Sequence, residues 1–212
     1  MGIESEVSDQ ARLDWRHFED PNLSPPLAAA LEAFVEHGYH GTTVRDIARR
    51  VGLSVPGLYY HYESKQALLV ALLQSSIEEA LARTRAAAEE AGEDPLARFA
   101  ALVESSVLFM AHRRDTAFLS SEIRSLEPDN RARYIASRDA VEELVLDAVH
   151  QGVAEGVFTT QHPDDACRAV LQMCQGVATW FRLGGEVPAE VLAQRYVGFA
   201  LGIVGFRGQR QL

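Results

Sequence analysis

Between Gly38 and Leu68 the chain reads GYHGTTVRDIARRVGLSVPGLYYHYESKQAL, and Thr43, Ser54 and Ser64 each stand where a helix can begin. A hydroxyl at a helix start accepts one of the unpaired N–H groups of the first turn. The remaining N–H groups and the positive dipole end suit an anion such as phosphate. Residues 40–65 carry four basic against two acidic side chains, in a chain whose 20 basic and 30 acidic residues give a net charge of −10. Polyanion binding on one small face is the chemistry this pattern offers, and general coating of nucleic acid is excluded by the acidic total. Catalytic patterns are missing: the chain holds no HExxH, nucleophile elbow, phosphate-binding loop or Cys/His ligand spacing, and its seven histidines are scattered. No metal and no cofactor are expected. An all-α enzyme would need a His–carboxylate pair assembled only by the fold.

The elements that must position this face read as helices. Ser24 followed by Pro25 and Pro26 is a helix start, and Leu27, Leu31, Phe34 and Val35 recur at helical spacing up to a stop at Gly38. A second helix opens at Thr43, answered by Asp46 three residues on, with Val44, Ile47, Ala48 and Val51 inward and Gly52 as its end. A third opens at Ser54 and presents Val55, Leu58, Tyr59 and Tyr62, with Pro56 tolerated in the first turn. The pair joined by Val51-Gly52-Leu53-Ser54 has the form of a helix-turn-helix, whose second helix is free to enter a DNA major groove. A long fourth helix follows from Ser64 to a break at Gly92-Glu93-Asp94-Pro95. Further amphipathic runs cover about 95–112, 115–126, 128–154, 164–182 and 188–207. Without any strand alternation, the expected fold is all-α with about nine helices. It divides into a mobile acidic tail (1–23), a helix-turn-helix domain (24–68) and a larger bundle (69–212). Trp15 and Phe18 are the tail's exceptions, suited to dock it on the body.

Composition narrows the setting. With 47% hydrophobic residues in 212 the chain closes a real core. Cys167 and Cys174, two turns apart on one helix, would lie about 10 Å from each other and read as buried thiols in a reducing compartment. The longest apolar stretch, Tyr196 to Phe206, has 11 residues against the ~20 needed to span a bilayer. The first 20 residues lack the basic cluster and apolar core of a signal peptide. A cytoplasmic protein without a membrane partner is expected.

The stretch strongly resembles the TetR family of transcriptional regulators. The matching residues are Gly38, Thr42-Thr43-Val44, Ile47-Ala48, Val51-Gly52, Ser54, Gly57-Leu58-Tyr59-Tyr60-His61-Tyr62, Ser64-Lys65 and Leu68. Val51, Leu53 and Tyr62 depart mildly from the family's Ala, Val and Phe. The resemblance implies a ligand-responsive repressor that binds double-stranded operator DNA. Thr43 and Lys65 would contact phosphate, Tyr59, Tyr60 and His61 backbone and sugar, and Arg45, Ser54, Val55, Pro56 and Gly57 would lie nearest base edges. Plainer readings stand beside these. Tyr59 and Tyr62 suit a core, Thr43 is also a cap, and Arg49 and Arg50 suit a solvated helix face. With Val55 and Pro56 offering few hydrogen bonds, readout would lean on thymine methyls and shape.

In the C-terminal part the helix at 164–182 carries Cys167, Val170, Leu171, Cys174, Ala178 and Phe181 on one stripe and Met173, Val177 and Trp180 on a second. The last helix is similarly apolar, with Gly198, Ala200 and Gly202 allowing close approach. Both should be buried on two sides, as the four-helix interface of a homodimer. A small-molecule effector site is expected among helices 95–126 and 128–182. Candidates are Phe99, Met110, Phe118, Ile123, Tyr134, Met173 and Trp180, with Arg124, Glu122 and Arg138 as polar anchors, against the plain alternative that each is core. Thr179-Trp180-Phe181-Arg182-Leu183-Gly184-Gly185, with Pro188, resembles the end of TetR-type regulators of fatty-acid and sterol breakdown that respond to acyl-CoA esters. That likeness implies a hydrophobic effector of acyl-CoA or related type. A drug-responsive exporter regulator or an activator on the same fold are the alternatives.

Overall fold

A computed structural model describes residues 13–208. Among them the chain forms nine α-helices and one 3-10 segment, and no strand. The helices are α1 (Pro25–Gly41), α2 (Val44–Arg50), α3 (Val55–His61), α4 (Lys65–Ala91), α5 (Pro95–His112), α6 (Arg114–Phe118), α7 (Pro128–Ala154), α8 (Pro163–Trp180) and α9 (Ala189–Ile203). The 3-10 segment, Leu119–Ser125, continues α6.

Local chemistry sets most of these boundaries. Thr43 Oγ1 accepts from Asp46 N–H (3.2 Å), Ser54 Oγ from Gly57 N–H (3.1 Å) and Ser64 Oγ from Ala67 N–H (3.0 Å). The expected stop at Gly38 appears as a break inside α1, with φ 72° and ψ 163°. Gly52 ends α2 at φ 68°, the left-handed region a helix-turn-helix corner needs. Ser24 differs from expectation: it caps nothing, and its hydroxyl instead meets the Tyr62 hydroxyl at 3.1 Å.

Two cores result, with α4 running through both. The first joins Phe34, Tyr39, Ile47, Ala48 and Leu58 of α1–α3 to Leu68, Leu69, Leu72 and Leu73 of α4, and adds Leu119, Leu126 and Tyr134. In the second, α5 packs against α4, α7, α8 and α9 around Phe99, Leu102, Leu108, Val149, Phe158, Val170 and Ala193.

The expected mobile tail is corrected for residues 13–23, while 1–12 lie outside the described residues. Trp15 is 1% exposed and sits in the second core. Its Nε1 donates to Glu90 (3.0 Å), and Arg16 lies over its ring while pairing with Glu90 and Glu104. Arg83, itself buried, donates to the carbonyls of Trp15 (3.2 Å) and His17 (2.8 Å), and Arg113 to that of Glu19 (2.9 Å). Phe18 stacks on His112 at 4.4 Å with Arg83 over its other face. Glu79 neutralises the two buried arginines at 2.8 Å each. The segment is therefore a strap across α4 and α5 that leads directly into α1.

Acid should loosen this strap. Burial pushes the His112 pKa below its ordinary value, helped by Arg113 and Arg83 and opposed by Glu190. Burial works to raise the Glu79 pKa, but its bonds to Arg113 and Arg83 prevail and hold it low. Below about pH 6.5 the unfolded chain takes up a proton at His112 that the folded chain resists, so stability falls. Further loss follows as Glu79 is protonated below the ordinary glutamate range. In a Trp180→Phe background, Trp15 emission should shift red between pH 7 and pH 4 ahead of the far-UV signal. Simultaneous loss of both signals would contradict a separately released strap.

Candidate nucleic-acid interface and cavity

The cores bury one side of α2 and α3 and leave the other open. Ile47, Ala48 and Leu58 are buried, while Arg45, Ser54, Pro56, Tyr59, Tyr60 and His61 are exposed. Tyr60 is 87% exposed and Tyr59 46%, values no core aromatic shows. His61 meets the Tyr60 ring edge-on at 5.4 Å. Arg45 makes no ion pair with any described residue, in contrast to Arg49, which pairs with Asp46 (3.4 Å), and Arg50, which pairs with Glu32 and Glu36. Val55 and Gly57 are half-buried between this face and the core, and Tyr62 packs against the core as its plainer reading held.

Two of the residues that the resemblance places on phosphate also have partners within the chain. Lys65 Nζ donates to the carbonyls of Tyr39 (2.7 Å) and Thr42 (2.8 Å) and lies 4.3 Å from the Tyr39 ring centre. It fastens the first turn of α4 to the end of α1, which leaves one of its three N–H donors for phosphate. Burial lowers its pKa, with Glu122 opposing. The Thr43 hydroxyl is engaged twice with Asp46, as acceptor from its N–H and as donor to its carboxylate.

A cavity of about 500 Å³ lies within the larger bundle. Of the sequence candidates it brings together Met110, Ile123, Tyr134 and Arg138. The others lie elsewhere. Phe99 is fully buried against Phe158 (5.3 Å) in the second core, because α5 turns that face toward α9 and the 152–158 corner. Met173 is half-buried against the same core. Phe118, Arg124 and Trp180 are exposed and do not line the cavity. Glu122 bonds to α1 instead. The wall the sequence reading missed is α4, which contributes Ser76, Ile77, Ala80 and Thr84. Their helical spacing and small size were the available signal.

The expectation that α8 is apolar all round is also corrected. Ala166, Cys167, Val170, Cys174, Val177 and Ala178 are buried, but Arg168, Gln172, Gln175 and Thr179 form an exposed polar face, three of them on the cavity. On α9, Val197 and Ala200 face the core, whereas Val191, Phe199 and Ile203 are exposed along one stripe.

The cavity wall is bonded to the DNA-facing part. Ser120 and Ile123 of the 3-10 segment line it. From the same segment Glu122 accepts from Tyr39 N–H (3.2 Å) and Ser125 bonds His40 Nε2 (3.0 Å). Gln66 of α4 accepts from Glu127 N–H (2.8 Å) and from Asn130 (3.2 Å). Both contacts end at the kinked turn before α2 or at the start of α4.

Residues 27–72 match the family described as bacterial regulatory proteins, tetR family, and residues 92–204 match the tetracyclin repressor-like C-terminal domain. The chain belongs to the TetR family of transcriptional regulators. The HTH-type transcriptional repressor KstR2 of Mycobacterium tuberculosis (strain H37Rv) is 30% identical over 179 residues, covering 83% of this chain and 88% of that protein. A solved tetR-family regulatory protein from Rhodococcus RHA1 superposes with TM-score 0.81 at 29% identity, over 87% of this chain and 97% of that one. The solved ketosteroid transcriptional regulator KstR2 of Mycobacterium tuberculosis gives TM-score 0.80 at 26% identity, over 88% and 97%. TetR-family proteins are DNA-binding regulators, and this one is accordingly a regulator and not an enzyme. Among the described residues no helix is long and apolar enough to cross a membrane.

Proposed function

We propose that the chain is a cytoplasmic repressor that holds operator DNA as a homodimer and lets go when a small amphipathic molecule enters the cavity. The observation that carries this reading is the direct bonding of one cavity wall, the 3-10 segment, to the turn that precedes α2. An occupant that displaces Ser120 or Ile123 moves Glu122 and Ser125, and with them Tyr39 and His40. Release then needs only that the occupant bind the displaced arrangement more tightly than the DNA-bound one. An apolar floor with Arg138 and Arg168 at the rim suits a hydrophobic body with an anionic group, as an acyl-CoA or related lipid metabolite has. The relative KstR2 is named a transcriptional repressor and, in its solved form, a ketosteroid transcriptional regulator, which supports repression and an apolar effector body.

Arg45, Ser54, Val55, Pro56 and Gly57 would lie nearest the bases, with Thr43, Tyr59, Tyr60, His61 and the remaining Lys65 donor on the backbone. The dimer would form through α9 and the end of α8, where Phe199, Ile203 and Trp180 are exposed. Everything outside the α2–α3 face is acidic on balance, so binding should weaken steeply with salt. Arg45→Ala with Tyr60→Ala is expected to weaken operator binding about 100-fold in a gel shift, from two lost contacts of about 1–3 kcal/mol each. The melting temperature should not move, since neither side chain is packed. Undiminished binding by the double variant would remove the face from the interface.

A further inference from the structure

The cavity's inner polar groups differ sharply in what they still have to offer. Thr84 Oγ1 donates to the Ala80 carbonyl (2.7 Å) and Ser106 Oγ to that of Leu102 (2.9 Å), so neither proton is available. The Cys174 thiol, fully buried and pushed up to about 12, is a weak donor. Among the buried polar residues of the lining, Tyr134 is the exception. It is 8% exposed, lines the cavity, and its hydroxyl makes no hydrogen bond to any described residue. Burial raises its pKa, with Arg138 pulling the other way, so the group stands as O–H at neutral pH. The hydroxyl oxygen is open to the cavity and not sealed in the core, so its proton is free for an acceptor that enters there. The charged lining residues are Glu142, half-buried, and the exposed Arg138 and Arg168, which pair with Asp139 (2.9 Å) and Asp165 (3.1 Å).

We propose that Tyr134 is the inner hydrogen-bond donor of this site, and that the effector is an apolar molecule with a carbonyl oxygen on the part that enters deepest. This rests on the reading of the cavity as the effector site. The rest of the inner lining, Ile77, Ala80, Phe109 and Met110, is apolar and takes the body of such a molecule. Its anionic end remains at Arg138, one helical turn beyond Tyr134 on α7, and at Arg168. A plain hydrocarbon tail would leave the phenol unpaired and bind less tightly. A site built around a donor rejects ligands that lack the acceptor, whereas an apolar pocket barely separates them.

Cyclohexanone and methylenecyclohexane have nearly the same shape and differ in the acceptor, and both are far smaller than the cavity. Titration of the full chain by ligand-observed NMR should find cyclohexanone about fivefold to tenfold tighter, the expected worth of one hydrogen bond. Tyr134→Phe keeps the ring and its packing, and should bring the two affinities together while leaving that for methylenecyclohexane unchanged. Equal affinities in the wild-type chain, or a ketone preference that survives in Tyr134→Phe, would overturn the assignment of Tyr134 and leave the cavity as the effector site. If neither fragment binds the wild-type chain, the reading of the cavity falls and the assignment falls with it.

Discussion

Trp15→Ala is expected to destabilise the folded chain by about 3–5 kcal/mol, the range for removing a fully buried aromatic side chain. Trp15 is 1% exposed among the residues of the second core, so the vacated volume is walled by α4 and α5. The indole also accepts the Arg16 guanidinium over its face and donates to Glu90, and both partners lose their geometry with it. For a domain of this size the change is about 10 °C in melting temperature. Trp15→Phe, which restores most of the buried area but not the N–H, should recover more than half of the loss. A change under 1 kcal/mol in Trp15→Ala would mean that the strap is laid on the surface and not built into the core.

Phe199→Arg is expected to break the proposed dimer into monomers and to cut operator affinity about 10²–10⁴-fold, the gain that joining two half-site contacts brings. Phe199 is 58% exposed on a stripe with Val191 and Ile203, and its ring centre lies 5.9 Å from that of Tyr196. An arginine there costs the isolated subunit little, because the position faces away from the core. Across a two-fold axis, however, it places like charges opposite one another in an apolar contact. Sedimentation velocity gives the mass and a gel shift the affinity. An unchanged dimer mass would move the interface off α9, and full operator binding by a monomer would end the requirement for two joined half-sites.

The helix-turn-helix was legible because its determinants are local. Thr43, Ser54 and Ser64 cap helices that begin within three residues of them, and Gly52 supplies a backbone angle other residues resist. Where a side chain had a distant alternative, local reading failed. The Ser24 hydroxyl meets that of Tyr62, 38 positions on, and makes no cap bond. The strap was obscured for the same reason. Its acidic residues dominate the local average, while the groups that fix it, Arg83, Glu90 and Arg113, come 66 to 94 positions later. The cavity was half legible. Aromatic and sulfur-bearing residues drew attention to α5 and α7, but a hollow is made by small side chains, and Ser76, Ala80 and Thr84 of α4 carry no such flag.

The strap also orders how the protein is made. Residues 13–23 leave the ribosome before α1 to α9, yet Trp15 pairs with a residue 75 positions on and Glu19 with one 94 positions on. Closing loops of that length is slow relative to helix formation, and it cannot be completed until the end of α5 has been synthesised. The helix-turn-helix can form earlier, since its caps and its turn are within the segment itself. Chains interrupted before Arg83 would therefore carry the helix-turn-helix segment with an exposed tryptophan in front of it, a combination that proteases and chaperones recognise.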